Sequence, residues 1–402
     1  MNILHIQVGM GASGNAAYRL STAMRKYGFN SNVLNLCHGP VLEHVYTLRR
    51  DYLSLFYSFF NKIYFGYKLL GKKKDTYFYH VLPLIGRDIS KNQLVKDADV
   101  IYIHWISGFL SSRVIKNIAK SRKPIIFFMH DMWDFTGGCH HSFDCEKYKL
   151  QCYQCPMFSH HYTTAYKEVQ ELKRIFAPDN IVFVSPSRWM AKCAQESYIL
   201  KGKVVQHIPN LVDDSIFTSL SKEQCKKELG IPDGKVIITF GCQSGTHNSF
   251  KGWNYLVDAV NRLTRDDIQI VIYGSEKNTE TEKQVKYPIT FLGRIDDEYK
   301  LAQICNATDV FVSPSLAESF GLTFLENILC GTPVVGFDNT AIKEVISHRR
   351  NGYLAKNKDS VDLCNGIMEM LEKPLANIDR MSYSSKSVVD SHYKLISKLL
   401  SI

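Results

Sequence analysis

The sequence predicts an α/β protein built from two Rossmann-like domains that face each other across a cleft. Its 402 residues are too many for one ordinary hydrophobic core and suit two domains. Short apolar runs rich in β-branched residues alternate with helical patterns, which is typical of parallel sheets covered by helices. The alternation occurs in both halves of the chain, so each half is expected to form its own sheet.

The N-terminal half begins with a predicted strand over Asn2–Val8 and a helix over Asn15–Tyr27. We assign residues 1–206 to the first domain. The segment His207–Phe217, with Pro, Asn and paired Asp, predicts the linker. Further strands of this half are expected at Asn32–Leu36, Val100–His104, Pro124–Met129 and Ile181–Val184.

The C-terminal half repeats this plan, with a strand over Val236–Gly241 and a helix over Gly252–Leu263. We assign residues 217–383 to the second domain. The amphipathic pattern of Ser384–Leu400 predicts a final helix, within residues 384–402, that is free to return to the first domain. Further strands are expected at Ile268–Tyr273, Ile289–Leu292, Val310–Val312 and Pro333–Gly336.

Composition and charge narrow the function classes. Hydrophobic residues make up 45% and charged residues 22% of the chain, which argues against disorder, collagen and coiled coil. The sequence has no run of 18 apolar residues and no signal-peptide pattern, so we expect a cytoplasmic protein. Residues 1–200 hold 25 basic and 14 acidic side chains, a net charge of +11, against 24 and 25 in the remainder. The first domain is therefore expected to meet a membrane surface, a phosphorylated lipid or nucleic acid.

Ligands of open parallel sheets bind at the carboxyl ends of the strands, and this rule sorts the candidate residues. The turn after the first strand reads Gly9-x-Gly11-x-x-Gly14, where Gly11 and Gly14 would let a diphosphate or sugar approach the backbone. A dinucleotide site would need an acid after the second strand, but the first acid in the chain is Glu43. A purely structural turn is the alternative.

Two histidines follow successive predicted strands of the first half, as His104-Trp105 and His130-Asp131. A single histidine in such a place is more often a buried structural group, but two in succession favour function. His130 is the stronger catalytic candidate because Asp131 and Trp133 follow it.

The densest pattern lies in the second half, where a buried strand leads through a Ser/Pro loop to Glu318 and a helix. The helix begins near Gly321 and Leu322, and its free N–H groups suit a diphosphate. Glu326 lies about 7 Å farther along the axis at about 1.5 Å per residue. The two carboxylates are expected to hold hydroxyl groups on either side of the anion. An ordinary amphipathic helix with exposed acids is the alternative.

Two basic residues follow other strands of the same half. Lys251 precedes the first helix and can reach the same diphosphate as a point charge. Arg294 follows Gly293 at the end of another strand, where it is expected to border the base.

These residues, in this order, resemble the retaining glycosyltransferases of family 4, which have the GT-B fold. The most specific mark is the Glu-x7-Glu pair of Glu318 and Glu326, followed by the Gly-Thr-Pro-Val-Val run from Gly331. The run from His130 to Cys139, HDMWDFTGGC, is most similar to colanic acid and O-antigen enzymes of bacterial surface polysaccharides. The resemblance covers nearly the whole chain.

The resemblance implies a nucleotide-sugar donor held by the second domain and a saccharide acceptor held by the first. We expect a UDP-sugar in preference to a GDP-sugar. The family places Glu326 on the ribose, Glu318 on the donor sugar and Lys251 on the diphosphate. His130 then lies near the reacting face of the sugar, and no catalytic metal is expected, because Lys251 and the helix dipole neutralise the leaving diphosphate.

The sequence departs from the family pattern in one place. An Arg is common at the end of the first strand of the second domain, where this chain has Gly241-Cys242. Either another residue, such as Arg188, supplies that charge, or phosphate binding rests on Lys251.

Four cysteines cluster after His130: Cys139, Cys145, Cys152 and Cys155. One Cys-x-x-Cys with two further cysteines suits a tetrahedral structural zinc, although the spacing is not that of paired knuckles. Disulfides and unligated thiols are the alternatives, and a reducing cytoplasm disfavours disulfides.

The segment Arg49–Lys74 is both basic and aromatic, with seven Lys or Arg, one acid and eight Tyr or Phe. Such a mixture suits the headgroup region of an anionic membrane. A helix that covers the sheet, with its lysines in solvent, is the alternative. Acceptors in the family are often polyprenyl-diphosphate sugars, so we expect a lipid-linked oligosaccharide acceptor and a peripheral location on the inner face of the plasma membrane.

Two other functions are weighed against glycosyl transfer. A nucleotide-sugar epimerase can share the two-domain fold but needs no separate acceptor and no membrane-seeking surface. A nucleic-acid binder with a zinc module would use the basic half but leave the Glu-x7-Glu region unexplained. We therefore expect a glycosyltransferase that has no nucleic-acid partner.

Overall fold

The computed structural model describes residues 1–9, 12–38, 42–48, 52–73, 78–106, 108–159, 162–241, 249–372 and 383–401. The chain divides into two compact units. Unit 1 comprises Met1–Leu211 and Lys386–Ile402, and unit 2 comprises Val212–Ser385.

A seven-stranded parallel sheet forms the centre of unit 1. Its strands are β1 (Asn2–Gly9), β2 (Asn30–His38), β3 (Val45–Thr47), β4 (Val100–Ile103), β5 (Ile125–Phe128), β6 (Ile181–Ser185) and β7 (Val205–His207). Their spatial order is β3-β2-β1-β4-β5-β6-β7, and all paired neighbours run parallel. Every residue of β4 and β5 is buried, as expected for strands covered on both faces.

Most helices of unit 1 place apolar stripes on this sheet, and the second helix is an exception described below. They are α1 (Ala12–Lys26), α2 (Tyr52–Lys68), α3 (Gln93–Asp97), α4 (Ser112–Ala119), α5 (Thr164–Ile175), α6 (Arg188–Glu196) and, from the end of the chain, α14 (Ser385–Leu400). In α14 the residues Val388, Val389 and Ile396 pack with Ile3 and Leu20 in one core cluster. The final helix therefore packs in unit 1.

A six-stranded parallel sheet forms the centre of unit 2. Its strands are β8 (Val236–Gly241), β9 (Ile268–Tyr273), β10 (Ile289–Phe291), β11 (Val310–Ser313), β12 (Val334–Phe337) and β13 (Gly352–Ala355). Their order is β10-β9-β8-β11-β12-β13, with all paired neighbours parallel. The two parallel sheets confirm the predicted α/β class with Rossmann-like domains.

The helices of unit 2 begin and end where capping residues occur. Ser221 accepts a hydrogen bond from the Gln224 amide at the start of α7, and Gly230 ends that helix with φ 65°. The helices are α7 (Lys222–Leu229), α8 (Trp253–Arg262), α9 (Thr279–Gln284), α10 (Glu298–Ala307), α11 (Leu322–Cys330), α12 (Ile342–Val345) and α13 (Ser360–Glu372).

Both sheets have the doubly wound order, in which the direction of strand addition reverses at one place. The reversal falls between β1 and β4 in unit 1 and between β8 and β11 in unit 2. Ligands of such sheets bind beyond the carboxyl ends of the strands at this point. Binding sites are therefore expected in the loops that follow these four strands.

Candidate functional site

Lys251 and Glu318 form an ion pair beyond the carboxyl ends of β8 and β11, with Nζ and Oε1 2.6 Å apart. Lys251 ends the 3-10 turn Ser249–Lys251, and Glu318 lies between β11 and α11. The exposed fractions of the two side chains are 22% and 16%. The structure thus brings two predicted site residues together at the reversal point of unit 2. An anion that binds Lys251 must exchange with, or join, the Glu318 carboxylate.

Backbone contacts fix the loop that carries Lys251 against the loop that carries Glu318. The Leu316 amide donates to the Phe250 carbonyl at 2.7 Å. Gly252 has φ 73°, and a Cβ at this position would overlap the carbonyl oxygen of Pro314. Only glycine combines this conformation with so close an approach. The geometry of the ion pair is therefore set by the fold rather than by two flexible side chains alone.

A third loop, after β12, supports the same site. The backbone amide of Glu318 donates to the Thr340 hydroxyl at 3.0 Å. The side-chain amide of Asn339 donates to the Ser315 carbonyl at 3.1 Å. Loops from β8, β11 and β12 consequently meet around Glu318.

Helix α11 begins directly after this loop. Gly321, with φ 96°, precedes Leu322, and the helix is buried from Phe324 to Cys330. The first N–H groups of a helix lack intrahelical partners and lie at its positive end, so this end suits an anion.

Glu326 lies inside α11 with only 4% of its surface exposed. The alternative of an amphipathic helix with exposed acids is therefore wrong for Glu326. Burial, together with the nearby Cys305 and Glu326, raises the pKa of the Tyr273 hydroxyl well above its usual value. A buried carboxylate is unfavourable unless other groups compensate its charge, which sets Glu326 apart from a solvated surface acid.

The remaining predicted donor-site residues have different positions. Arg294 follows β10, is largely exposed and pairs with Asp296 at 2.8 Å. Gly14 lies in α1, and Arg188 is the first residue of α6 in unit 1. Gly11 and the segment 242–248, where the family Arg would fall, lie outside the described residues.

Three histidines form a chain of rings that begins inside β1 and continues through the residues that follow β4 and β5. His5 Nδ1 lies 2.9 Å from His104 Nε2, and His104 Nδ1 lies 2.9 Å from His130 Nε2. We call this set the inner relay. His5 and His104 are buried, whereas His130 is half-buried. Both predicted histidines are thus in contact, and His5 extends the chain into β1.

The inner relay is neutral at physiological pH. Burial lowers the pKa of His5 to about 3 and holds that of His104 well below its usual value. Burial also lowers the pKa of His130 to about 4, against the opposing charge of Asp131. A neutral imidazole carries one N–H and one lone pair, so the central ring, His104, donates to one neighbour and accepts from the other.

A second chain begins at Asp131 and runs outward. Asp131 Oδ2 lies 2.7 Å from His140 Nδ1, and His140 Nε2 lies 2.6 Å from His80 Nδ1. We call this set the outer relay. His80 as a residue is exposed, but neighbouring groups partly desolvate its ring. This desolvation, and after it the charge of His140, lowers the pKa of His80 to about 4.

The chain is similar to known proteins in its sequence as well as in its fold. Residues 235–373 match the family model of glycosyl transferases group 1. An uncharacterized 41.2 kDa protein in the cps region of Klebsiella pneumoniae is 27% identical over 277 residues, which are 68% of each chain. Residues 235–373 belong to the group 1 glycosyltransferases. Other curated relatives are matched over less than half of their own length.

Solved structures extend the likeness to both units. The pneumococcal O-GlcNAc transferase GtfA, in complex with UDP and GlcNAc, has a TM-score of 0.62 at 14% identity and covers 100% of this chain and 99% of its own. WaaG, a glycosyltransferase involved in lipopolysaccharide biosynthesis, has a TM-score of 0.61 at 15% identity, with 99% and 98% covered. At these identities the likeness shows the fold, which is GT-B.

This group 1 glycosyltransferase is a retaining enzyme of family 4 and transfers a sugar from a nucleotide-sugar donor. The match to this family favours glycosyl transfer over the two other functions considered, those of a nucleotide-sugar epimerase and of a nucleic-acid binder.

The clustered cysteines of the glycosyltransferase are free thiols. Cys139 donates through Sγ to Met157 Sδ at 3.5 Å, and burial raises the pKa of the Cys152 thiol to about 12. Among the described residues, which include all four cysteines, no three His, Cys, Asp or Glu side chains converge as a metal site would require. The structure therefore gives no support to the predicted zinc at Cys139, Cys145, Cys152 and Cys155.

Helix α2 presents its apolar side to solvent. The exposed fractions are 59% for Leu55, 60% for Phe59 and 58% for Ile63. Its other side carries polar groups, since buried Asn61 exchanges hydrogen bonds with the Ile85 backbone and Lys68 pairs with Glu168 at 2.8 Å. We call the exposed side the α2 apolar face: Tyr52, Leu55, Phe56, Phe59, Phe60, Ile63 and Tyr67. No helix in the described parts of the chain is long and apolar enough to span a membrane.

Sequence reasoning missed several residues around these sites. Asn339 and Thr340 directly follow the predicted strand Pro333–Gly336, so the carboxyl-end rule would have found them. His140 lies just after the run from His130 to Cys139, but His80 precedes it by a long stretch and no spacing links the two.

Proposed function

We propose that the enzyme binds a UDP-sugar at the carboxyl ends of β8 and β11. The α11 N-terminus and Lys251 hold the diphosphate, Glu318 holds a hydroxyl of the donor sugar, and Glu326 holds the ribose. The observation that carries this assignment is the Lys251–Glu318 pair beside the start of α11. A cation and a helix N-terminus can share an anion, and a carboxylate accepts from hydroxyls. The complex of GtfA with UDP and GlcNAc supports uridine as the base.

The ion pair gives donor binding a specific consequence. Lys251 can neutralise a diphosphate only to the extent that it moves away from Glu318. A donor sugar compensates Glu318 by donating a hydroxyl to it, whereas UDP alone does not. Glu318 therefore acts on the sugar and does not hold the nucleotide.

We further propose a lipid-linked saccharide acceptor of surface-polysaccharide biosynthesis, bound by unit 1. The cps-region relative and the fold shared with WaaG support this pathway. His130, at the outer end of the inner relay, is the proposed catalytic residue of unit 1 near the donor sugar.

The α2 apolar face is the proposed membrane-docking surface. Solvent-facing aromatic and aliphatic side chains on a helix favour burial in the headgroup region. Exposed Lys62 and Lys73 lie on the same helix and just after it, and unit 1 holds the basic half of the chain, so an anionic leaflet is the matching partner.

The donor assignment is tested by thermal stabilisation and hydrolysis with UDP- and GDP-sugars. The wild type is expected to be stabilised by UDP and to hydrolyse at least one UDP-sugar. Glu326→Ala is expected to lose UDP binding by about tenfold or more, since a charged hydrogen bond contributes about 1.5–3 kcal/mol. Glu369→Ala, which removes an acid of unit 2 that pairs with Arg349, is the matched control. Stabilisation by GDP alone would contradict the choice of uridine.

Membrane docking is tested by flotation with vesicles of phosphatidylglycerol or of phosphatidylcholine. Phe59→Ser with Ile63→Ser should abolish binding, whereas Leu150→Ser, at a residue 75% exposed elsewhere in unit 1, should not.

Lys72→Gln with Lys73→Gln should weaken binding to anionic vesicles only, by about 1 kcal/mol per lysine. Lys192→Gln with Lys201→Gln is the charge-matched control. Failure of the wild type to bind anionic vesicles at low salt would contradict this surface. Lys74, which belongs to the same basic run, lies outside the described residues.

A further inference from the structure

The outer relay has a hydrogen-bond direction that its first member dictates. The Asp131 carboxylate is ionised, because the His140 ring and the Trp133 amide lower its pKa despite the opposing effect of burial. An ionised carboxylate only accepts hydrogen bonds. Its Oδ1 accepts from the Trp133 amide at 2.8 Å, and its Oδ2 lies 2.7 Å from His140 Nδ1. His140 Nδ1 therefore carries a proton and donates it to this carboxylate.

The same direction of hydrogen bonding continues from His140 to His80. In its uncharged form, with the one proton on Nδ1, His140 has a lone pair at Nε2, and this lone pair accepts from His80 Nδ1 at 2.6 Å. His80 then carries its own proton on Nδ1, so its Nε2 is a bare acceptor. His80 is exposed as a residue, so a ligand can approach it.

Aromatic side chains contact His80 and line its surroundings. Trp133 Nε1 donates to the His80 carbonyl at 3.0 Å. The Trp105 ring lies 5.7 Å from the His80 ring and 4.8 Å from the His140 ring. Phe78, 53% exposed, packs edge-on against His140. Aromatic surface beside a fixed hydrogen-bonding group is the usual construction of a small-ligand site, and a saccharide offers both apolar C–H faces and hydroxyl donors.

We propose that His80 Nε2 accepts a hydrogen bond from a hydroxyl of the saccharide acceptor, with Asp131 and His140 as positioning residues that keep this nitrogen unprotonated. This inference rests on the proposed transfer to a saccharide. It identifies an acceptor subsite in unit 1, and it distinguishes His80, which contacts substrate, from the two residues that act through it.

Asp131→Asn is the variant that reverses the relay without changing its size. The Trp133 amide still requires an oxygen acceptor, so the new amide nitrogen faces His140 Nδ1 and donates to it. His140 must then donate from Nε2 to His80 Nδ1, and His80 Nε2 becomes an N–H donor. Substitution of the corresponding carboxylate in Ser-His-Asp triads disrupts the histidine tautomer in the same way. Asp134→Asn, in the same turn, removes a carboxyl group that is not in the relay and is the matched control.

Nitrogen NMR of ¹⁵N-histidine-labelled full-length enzyme reads the tautomer directly. His80 Nε2 is expected to be unprotonated in the wild type and in Asp134→Asn, and protonated in Asp131→Asn. Protonated His80 Nε2 in the wild type would overturn the proposal.

Activity separates this subsite from the donor site. The probe is radiolabel transfer from a UDP-sugar to lipid extracted from membranes of the source organism. Asp131→Asn and His80→Ala should raise the KM for this lipid at least tenfold, with UDP affinity unchanged. His80→Gln, whose side-chain oxygen restores an acceptor, should recover part of the loss. Since His80 lies on the surface, its variants test the idea even if Asp131→Asn does not fold. Absence of transfer by the wild type would contradict the proposed function, whereas transfer that is unchanged in His80→Ala would overturn the subsite alone.

Discussion

Unit 1 and unit 2 share the doubly wound strand order but place different chemistry beyond their carboxyl ends. In unit 2 the loops after β8 and β11 present a charged pair, Lys251 and Glu318. In unit 1 the strands β1, β4 and β5 carry or precede three hydrogen-bonded imidazoles with lowered pKa values: His5, His104 and His130. One topology therefore supports a charged site in one unit and a neutral relay in the other.

The difference follows from what each site must bind. A diphosphate needs positive charge and free N–H groups, which Lys251 and the α11 N-terminus supply. Sugar hydroxyls are neutral and need directed donors and acceptors rather than net charge. Neutral imidazoles provide one of each, and burial keeps them neutral near pH 7. The comparison predicts that the two units respond differently to substitution and to pH.

The largest expected effect is on turnover. His130→Ala and Glu318→Gln should each lower turnover at least about a hundredfold, equivalent to about 2.7 kcal/mol, because both groups are assigned to the reacting sugar. Calorimetry with UDP should show affinity that is unchanged in His130→Ala, and unchanged or tighter in Glu318→Gln, in which Lys251 loses its competing partner. Weaker UDP binding in Glu318→Gln would place that residue on the nucleotide instead.

The next largest effect is acid destabilisation confined to unit 1. Burial lowers the pKa of His5 and of His392 to about 3, so protons bind these groups more strongly in the unfolded chain, near pH 6.5. Stability is then constant above about pH 6.5 and falls below it. Between pH 7.5 and 5.5 we expect a loss of about 1.4 kcal/mol for each group.

Hydrogen exchange followed by mass spectrometry distinguishes the units in this experiment. Protection of β1, β4 and β5 should decrease at pH 5.5, while that of β8 and β11 should change less. His392→Gln, which does not titrate, should lose the share of this pH dependence that His392 contributes, about 1.4 kcal/mol. An equal loss of protection in both units at pH 5.5 would contradict the predicted difference between them.

The smallest effect concerns the support of the unit 2 loops. Thr340→Val removes the hydroxyl that accepts from the Glu318 amide at 3.0 Å. The loss of one hydrogen bond should lower the free energy of unfolding by about 0.5–1.5 kcal/mol, as measured by urea denaturation. Turnover should fall more than UDP affinity, because the backbone of Glu318 is displaced. No change in either turnover or stability would show that this loop does not hold Glu318.

Sequence alone predicted most strands of the two parallel sheets, because strands such as β4 and β5 are short apolar runs that the structure shows to be buried. It did not predict β3, β7 and β13. The sequence also predicted that Lys251 and Glu318 share one site, because both follow strands that meet at the reversal point. It could not predict that they pair, since that depends on the close contact of Gly252 with Pro314. The α2 apolar face was recognised as unusual by composition, but only the buried Asn61 shows which side faces solvent.

The histidines show where sequence reasoning stops. His104 and His130 were found because they end predicted strands. His5 lies inside β1 and joins them only because neighbouring strands are in parallel register, with His5 beside Tyr102. His80 and His140 are 60 positions apart and meet through tertiary contacts alone.

The central claim is that the reversal point of unit 2 binds the donor diphosphate, and titration calorimetry with UDP tests it most directly. Lys251→Ala should weaken UDP binding about ten- to hundredfold, as expected for loss of a charged hydrogen bond of about 1.5–3 kcal/mol. Lys222→Ala is the matched control, since Lys222 also pairs with a carboxylate of unit 2, Asp309, at 2.8 Å but at the opposite end of β11. Its UDP affinity should equal that of the wild type. Unchanged affinity in Lys251→Ala, or an equal loss in both variants, would contradict the account.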